Sequence, residues 1–367
     1  MHVVICGAGV IGAATAYFLS LRGIDVTVVE RHRVAGASSG KAGAFLALDW
    51  CAGSPLDALA RRSFALHAQL AEDLARERGA DWGYQRVTTY GGYSFGGRQM
   101  RGHTQAGRDW LSGSVTVTGQ LGTADTTAMV HPRLFTEALV EAAQANGATL
   151  RIGQVAGVLR DENGTTARGV TLADGDAIEA DAVVITMGPW SIQAAGWLPL
   201  PGVHAYKGHS LIFETGASVP PEALFLEYQS PSGAVLTPEF FPRADGTTYV
   251  AYSATQDPLP MDPADVVPDS RSLVQLEAVC EAVSPALHPA AIQTRQACYR
   301  PVTEDGLPLI GKVPGIAGAY VGTGHSVWGV LNGPATGEAL AELIVDGAAR
   351  TTNLRAFDPG RLRPLDV

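Results

Sequence analysis

Gly7, Gly9 and Gly12 follow the apolar run His2-Val3-Val4-Ile5-Cys6 and precede a helical pattern, a spacing suited to holding a pyrophosphate. The first glycine permits a tight turn, the second lets a phosphate approach the backbone, and the third lets helix and strand pack closely. Val10 and Ile11 lie within this turn, where free N–H groups and the positive end of the helix dipole favour an anion. Glu30 ends the next apolar run, and its carboxylate can accept hydrogen bonds from an adenosine ribose. Arg31 either touches that ribose or faces solvent. Near the other end stands Arg300, whose planar fork suits bidentate capture of a carboxylate; the structural alternative is an ion pair with Glu304 or Asp305. Cys6, Cys51, Cys280 and Cys298 are scattered, with no ligand spacing, so neither a metal site nor a disulfide framework is expected.

These residues need elements to position them. The first thirty residues read as a βαβ unit: strand His2 to Cys6, helix to about Arg22, Gly23, then strand Asp25 to Glu30. Ser54 as N-cap and Pro55 open a second helix that ends at Gly79, with Leu56, Leu59, Leu66, Leu70 and Leu74 on one face. Its His67 reads as a surface or capping residue. Residues Gly83 to Gly122 suit short strands and loops, and Pro132 starts a third helix that stops at Asn146-Gly147, with His131 beside its start. A meander follows through Thr149–Ile152, Val155–Arg160, Arg168–Leu172 and Ala177–Glu179 into the apolar strand Ala182 to Thr186. The stretch Pro199 to Pro268 reads as mostly β, with strands His209–Phe213, Gly233–Leu236 and Thr248–Tyr252, and Lys207 as a solvated hinge residue. An amphipathic helix Ser270 to Val283, strands Leu307–Ile310 and Ala319–Gly322, and a helix from about Gly333 to Val345 complete the chain.

The 367 residues carry 26 Lys+Arg against 36 Asp+Glu, a net charge of −10, which argues against a polyanion partner such as nucleic acid. An apolar fraction of 46% with 17% charged residues describes a chain that folds, with length for about two domains. No apolar run is long enough to span a bilayer and no basic, hydrophobic leader precedes the first strand, so the expectation is a soluble, cytoplasmic protein.

Three further stretches carry a resemblance. They are Ala37-Ser38-Ser39-Gly40-Lys41-Ala42-Gly43-Ala44-Phe45; Thr186-Met187-Gly188-Pro189-Trp190-Ser191 at the end of the meander; and Cys298-Tyr299-Arg300-Pro301 through Asp305-Gly306, followed by Gly324-His325-Ser326-Val327-Trp328-Gly329-Val330-Leu331. In order and spacing the chain resembles the D-amino-acid-oxidase superfamily of FAD-dependent oxidoreductases, which includes glycine oxidase, monomeric sarcosine oxidase and D-amino-acid dehydrogenases. The resemblance covers both ends and the 131–191 segment, while 200–295 matches only in outline.

It implies an α/β fold: a Rossmann-type FAD-binding domain of the two-dinucleotide-binding type with a β-meander, from residues 1–82, 125–198 and 299–367. A discontinuous, mostly antiparallel β substrate domain would come from 83–124 and 199–298. It also implies that Ser38, Ser39, Lys41, Ala42, Gly43 and Ala44 run along the flavin, that Val155 covers the adenine, and that Gly188 and Trp190 sit at the dinucleotide. Gly324 through Leu331 would approach the pyrimidine edge, where a helix dipole stabilises the negative charge of reduction.

The implied reaction is dehydrogenation of the C–N bond of an amine or amino acid by hydride transfer to flavin N5. The imine is then hydrolysed, and oxygen or another acceptor reoxidises the flavin. Arg300 would clamp the substrate carboxylate, Lys41 would assist oxygen reduction, and His325 would tune the ring. Cys298 roughly matches the position where sarcosine oxidases join FAD covalently, although non-covalent binding is the primary expectation. Two departures bear on the donor. Val327 and Trp328 stand where glycine oxidase has a second arginine in this loop, and Pro238-Glu239-Phe240-Phe241-Pro242 occupies the place of an expected tyrosine. Trp50, Trp328, Tyr249 and Tyr252 are therefore candidate walls of a larger, aromatic pocket. The alternative reading is a flavin-binding protein of the same fold with a regulatory or trafficking role and little turnover.

Overall fold

A computed structural model describes residues 1–95, 108–252 and 254–366, so part of the expected loop region between Gly83 and Gly122 lies outside the described residues. The runs His2–Cys6, Asp25–Glu30 and Ala182–Ile185, rich in β-branched residues, are buried along most of their length and occupy the centre of a six-stranded sheet. Its order is Leu309–Lys312, Ala319–Thr323, Ala182–Ile185, His2–Cys6, Asp25–Glu30, Thr149–Ile152, with every pair parallel except the first. Helix Val10–Ser20 packs against helices Pro132–Ala145 and Gly329–Asp346, and the latter also against Asp57–Arg78. The expected meander forms its own antiparallel sheet of Val155–Arg160, Ala167–Leu172 and Ala177–Glu179 before the chain re-enters the large sheet.

The remaining β structure is chiefly an eight-stranded sheet. Its order is Ile292–Val302, His204–Glu214, Thr247–Ala251, Glu239–Pro242, Glu222–Gln229, Thr88–Phe95, Val115–Gly122, with Val235–Leu236 beside Glu222–Gln229. All pairs are antiparallel except Glu222–Gln229 with Thr88–Phe95. One face is covered by helix Ser270–Val283, whose Leu273, Leu276, Val279 and Val283 meet Leu211, Phe213, Phe240 and Val250. The other face packs in part against a small sheet of Phe45–Ala47, Thr127–Met129 and Gln85–Arg86 through Phe45, Ala47 and Met129. The strand Ile292–Val302 runs across the 298/299 division expected from the sequence.

Two helices begin elsewhere than expected. The second starts at Asp57, because Ser54 closes a local turn, with its hydroxyl donating to Cys51 O and accepting from Leu56 N. The last helix starts at Gly329 and continues through Pro334. Proline has no N–H for the carbonyl four residues earlier, here Val330. His67 replaces that donor: its Nε2 lies 3.0 Å from Val330 O and 3.2 Å from Leu331 O, and carbonyls only accept, so Nε2 carries a proton. Ser63, four residues earlier on the same face, accepts from Ala335 N at 3.0 Å. His67 is thus fully buried and stitches a broken helix, contrary to the surface or capping role expected for it. His131, in contrast, does cap its helix by accepting from Leu134 N.

Candidate active site

The glycine turn is built by contact. A Cβ on Gly12 would sit 2.0 Å from Gly7 O, so only glycine lets helix Val10–Ser20 approach its strand this closely. Ser39 Oγ accepts from Val10 N at 2.9 Å, which fixes the loop after the second strand over the helix start. Glu30 accepts from Ala8 N at 2.9 Å with one oxygen and from His32 N at 3.0 Å with the other, and each oxygen keeps a second lone pair for a ribose hydroxyl.

This turn opens into a cavity of about 700 Å³. Gly7, Gly9, Val10, Ile11, Glu30, Arg31, Val155, Gly188 and Trp190 line one end; Ser38, Ser39, Lys41, Ala42, Gly43 and Ala44 form its flank. Trp50, Arg300, His325, Ser326, Val327, Trp328, Gly329 and Val330 line the other end. Four expected residues do not border it. Gly12 lies beneath the turn, and Gly324 is buried where an added Cβ would stand 2.8 Å from Thr303. Leu331 points into the helix core. Tyr252 turns to the opposite face of its sheet and donates to Ser272 O at 3.3 Å, so it is no substrate wall.

Arg31 is half-buried where it borders this end, with part of its guanidinium already engaged. It meets Asp262 Oδ2 at 3.1 Å and donates to Met261 O at 3.0 Å. The segment from Pro258 to Asp262 forms a strap beside the dinucleotide end, where the following Pro263 and Ala264 border the cavity. Tyr299 donates to Pro258 O, Trp190 to Pro260 O and Gln193 to Met261 O, while His32 pairs with Asp262. Lys207 is likewise not a solvated hinge residue: its ammonium is largely buried, 3.9 Å from Asp257 Oδ2 and over the Tyr299 ring.

At the other end the eight-stranded sheet presents the face turned away from helix Ser270–Val283. Residues directly opposite in register share a face, so Phe225 beside Glu239, Tyr249 beside Phe241, and Ala251 beside Glu239 and Ser210 all point one way. Gly208 opposite Cys298 and Tyr206 opposite Arg300 continue that face to the edge strand. The Arg300 side chain lies over Gly208, 3.9 Å from where a Cβ would be. The expected structural alternative for Arg300 fails, because Asp305 pairs with Arg361 at 2.7 Å and Glu304 is exposed. Among the described residues Arg300 has no ion pair.

Glu239, Phe45, Phe225, Phe241 and His209 were not singled out as lining residues from sequence, yet all border the cavity. The alternation in Glu239-Phe240-Phe241 was the available signal: Phe240 enters the core while its two neighbours face the cavity. Phe45 stacks on Phe241 at 5.3 Å, Phe241 on Tyr249 at 5.9 Å, and Trp50 and Phe225 complete a cluster of rings at 4.9 to 5.4 Å. Arg243 lies over Tyr249 and donates to Ala42 O at 3.1 Å, which ties the flank loop to this aromatic wall.

Burial governs the charges here. It pushes the Glu239 carboxyl up while Arg300 draws it down. It lowers the Lys41 ammonium, which donates to Ala297 O at 3.1 Å, and raises the neighbouring Cys298 thiol. His325 is buried and held neutral, its pKa lowered to about 3 by desolvation, with Nε2 3.0 Å from Thr336 Oγ1. His209 Nε2 accepts from Asp269 N and is lowered by burial, then by Lys207.

A pyrophosphate-binding turn continuous with a charged, ring-lined chamber defines a dinucleotide-dependent oxidoreductase. A sequence model of the FAD dependent oxidoreductase family, DAO, matches residues 2–343, and the chain belongs to that family. A putative oxidoreductase of Schizosaccharomyces pombe is 30% identical over 384 residues, covering 98% of this chain and 97% of the relative. Glycine oxidase of Pseudomonas putida is 27% identical over 384 residues, covering 98% and 99%. Among solved structures, glycine oxidase from Bacillus cereus superposes with a TM-score of 0.81 at 23% identity, over 98% of this chain and 97% of that one. Iminodiacetate oxidase from Chelativorans sp. superposes with a TM-score of 0.78 at 22% identity, over 97% and 98%. These two likenesses speak to the fold.

The cofactor is FAD. The donor set fits it: a helix start and Glu30 at the adenosine end, backbone and small side chains from Ala42 to Ala44 along the flank, and the start of helix Gly329–Asp346 at the far end. Among the described residues no helix is long and apolar enough to cross a membrane.

Proposed function

We propose that the protein dehydrogenates the C–N bond of a carboxylate-bearing amine, with an amino acid as the donor class. The observation that carries this reading is the unpaired Arg300 guanidinium at the ring-lined end of the FAD cavity. A planar cation held there without an ion-pair partner among the described residues suits a substrate carboxylate, and a bidentate contact would fix the donor's orientation as well as its charge. Bound FAD supplies the hydride acceptor. The aromatic cluster excludes water, Lys41 places a cation beside the flank loop, and His325 stays neutral within the loop that meets the far end of the cavity. Residues 1–82, 125–198 and 299–367 hold the cofactor in this reading, and 83–124 and 199–298 shape the donor site.

The test is an anaerobic screen of D-, L-, N-methyl and cyclic amino acids, followed by loss of the oxidised flavin absorption. At least one class is expected to bleach the flavin, with fast reoxidation on admitting oxygen marking an oxidase. A panel that leaves the flavin oxidised throughout would refute the reading.

A further inference from the structure

Arg300 is not the only ionisable group in the chamber without an ion-pair partner among the described residues. Glu239 borders the same cavity on the same sheet face, makes no ion pair among the described residues, and acts on Arg300 through space rather than by contact. Both side chains are half-buried, and a carboxylate or a guanidinium drawn out of water is costly without a partner. The two strands that carry them are separated by Thr247–Ala251 and His204–Glu214; among the described residues of those strands on this face, Ala251, Ser210 and Gly208 are small, while Tyr206 stands opposite Arg300. The cavity borders this stretch at Ala251 and Gly208. Around Glu239 the walls are Phe225, directly across the strand pair, then Phe241, Phe45, Trp50 and Tyr249. Ring faces attract cations, and a carboxylate set among rings is a site for an ammonium group.

We propose that Glu239 and its surrounding rings recognise the substrate's ammonium group while Arg300 takes its carboxylate, so that the chamber selects zwitterionic amino acids over both simple amines and simple carboxylates. This rests on the reading of Arg300 given above. It assigns to Glu239 the role of a specificity-determining residue that contacts the donor nitrogen. The raised proton affinity that burial gives its carboxyl is what an acid waiting for a cationic partner shows before the ligand arrives.

The experiment uses the FAD-loaded protein and two ligands of one shape that cannot be oxidised to an imine because neither has an α-hydrogen. They are 2-aminoisobutyrate, with an ammonium, and 2,2-dimethylpropanoate, with a methyl in its place. Binding is read from the perturbation of the flavin absorption spectrum. Wild-type protein is expected to prefer 2-aminoisobutyrate by about tenfold, the scale of a desolvated cation–ring contact. Glu239→Gln, which keeps the shape and removes the charge, is expected to abolish or invert that preference and to tighten 2,2-dimethylpropanoate. Equal affinity of the wild-type protein for the two ligands overturns the proposal without need of any variant, and so does an unchanged ratio in Glu239→Gln. In both of those outcomes Arg300→Met still weakens both ligands if the carboxylate clamp is right. If Arg300→Met weakens neither, or neither ligand perturbs the flavin of the wild-type protein, the clamp falls and the proposal with it.

Discussion

Gly43 shows how tightly a single position couples cofactor and donor sites. A Cβ there would stand 2.6 Å from Phe241 and 2.8 Å from Tyr249, so the flank loop and the aromatic wall touch through the absence of a side chain. Gly43→Ala is expected to cost about 1–3 kcal/mol, the usual price of overpacking, and to lower bound flavin per chain. Denaturant unfolding together with the flavin-to-protein absorbance ratio measures both; an unchanged ratio and midpoint would show that the wall yields freely. His67 makes a different prediction. Burial lowers its pKa from 6.5 to about 4, with the hydrogen bonds to Val330 and Leu331 opposing. The unfolded chain therefore binds a proton that the folded chain refuses between those values, so stability is present above pH 6.5 and is lost on acidification toward pH 4. The slope from His67 is about 1.4 kcal/mol per pH unit across this window. His67→Gln, which still offers N–H groups to the two carbonyls, should flatten the pH dependence of unfolding by about one proton.

Among the elements, the strap Pro258 to Asp262 and the edge strand Ile292–Val302 have most to do with the site. The strap is held by Arg31 and His32 through Asp262 and by Trp190, Gln193 and Tyr299 through its carbonyls. Asp262→Ala removes its contacts to Arg31 and His32 and is expected to speed FAD dissociation about fivefold, in line with the modest worth of a partly exposed ion pair. Release measured by recovery of free-flavin fluorescence checks this, and an unaltered rate would mean that the carbonyl contacts alone hold the strap.

Neither element was legible in advance. The strap has no periodicity to read, and Arg31 left two partners open. The edge strand Ile-Gln-Thr-Arg-Gln-Ala-Cys-Tyr-Arg-Pro-Val lacks clean apolar alternation because its cavity face carries Gln296, Cys298 and Arg300. Glu222–Gln229, rich in Leu and Glu, has the local composition of a helix and becomes a strand only by pairing on both sides. The opposite holds for the first thirty residues, where a buried parallel strand, a glycine turn and a helix each impose their own pattern on consecutive residues.

Across the whole molecule, the cavity gathers its lining from positions as distant as Gly7, Trp50, Phe225 and Arg300. The cofactor end was readable because one contiguous motif builds it. The donor end was not, since Phe225, Glu239 and Phe241 meet only through the register of an eight-stranded sheet that no local pattern announces, and Phe45 reaches them from a separate small sheet. Arg300 was reachable from both directions, through its guanidinium chemistry and through its place beside the Asp305-Gly306 turn.

That residue also offers the most direct test. Reduction of the flavin is followed anaerobically for wild type and Arg300→Met, with a responsive amino acid and with the amine left when its carboxylate is removed. The predicted result is a fall of about 100-fold in the apparent second-order rate constant for the amino acid, the scale of a lost charge-assisted contact, and little change for the amine. Equal losses for both donors, or none for either, would contradict a carboxylate clamp at Arg300 and the account built on it.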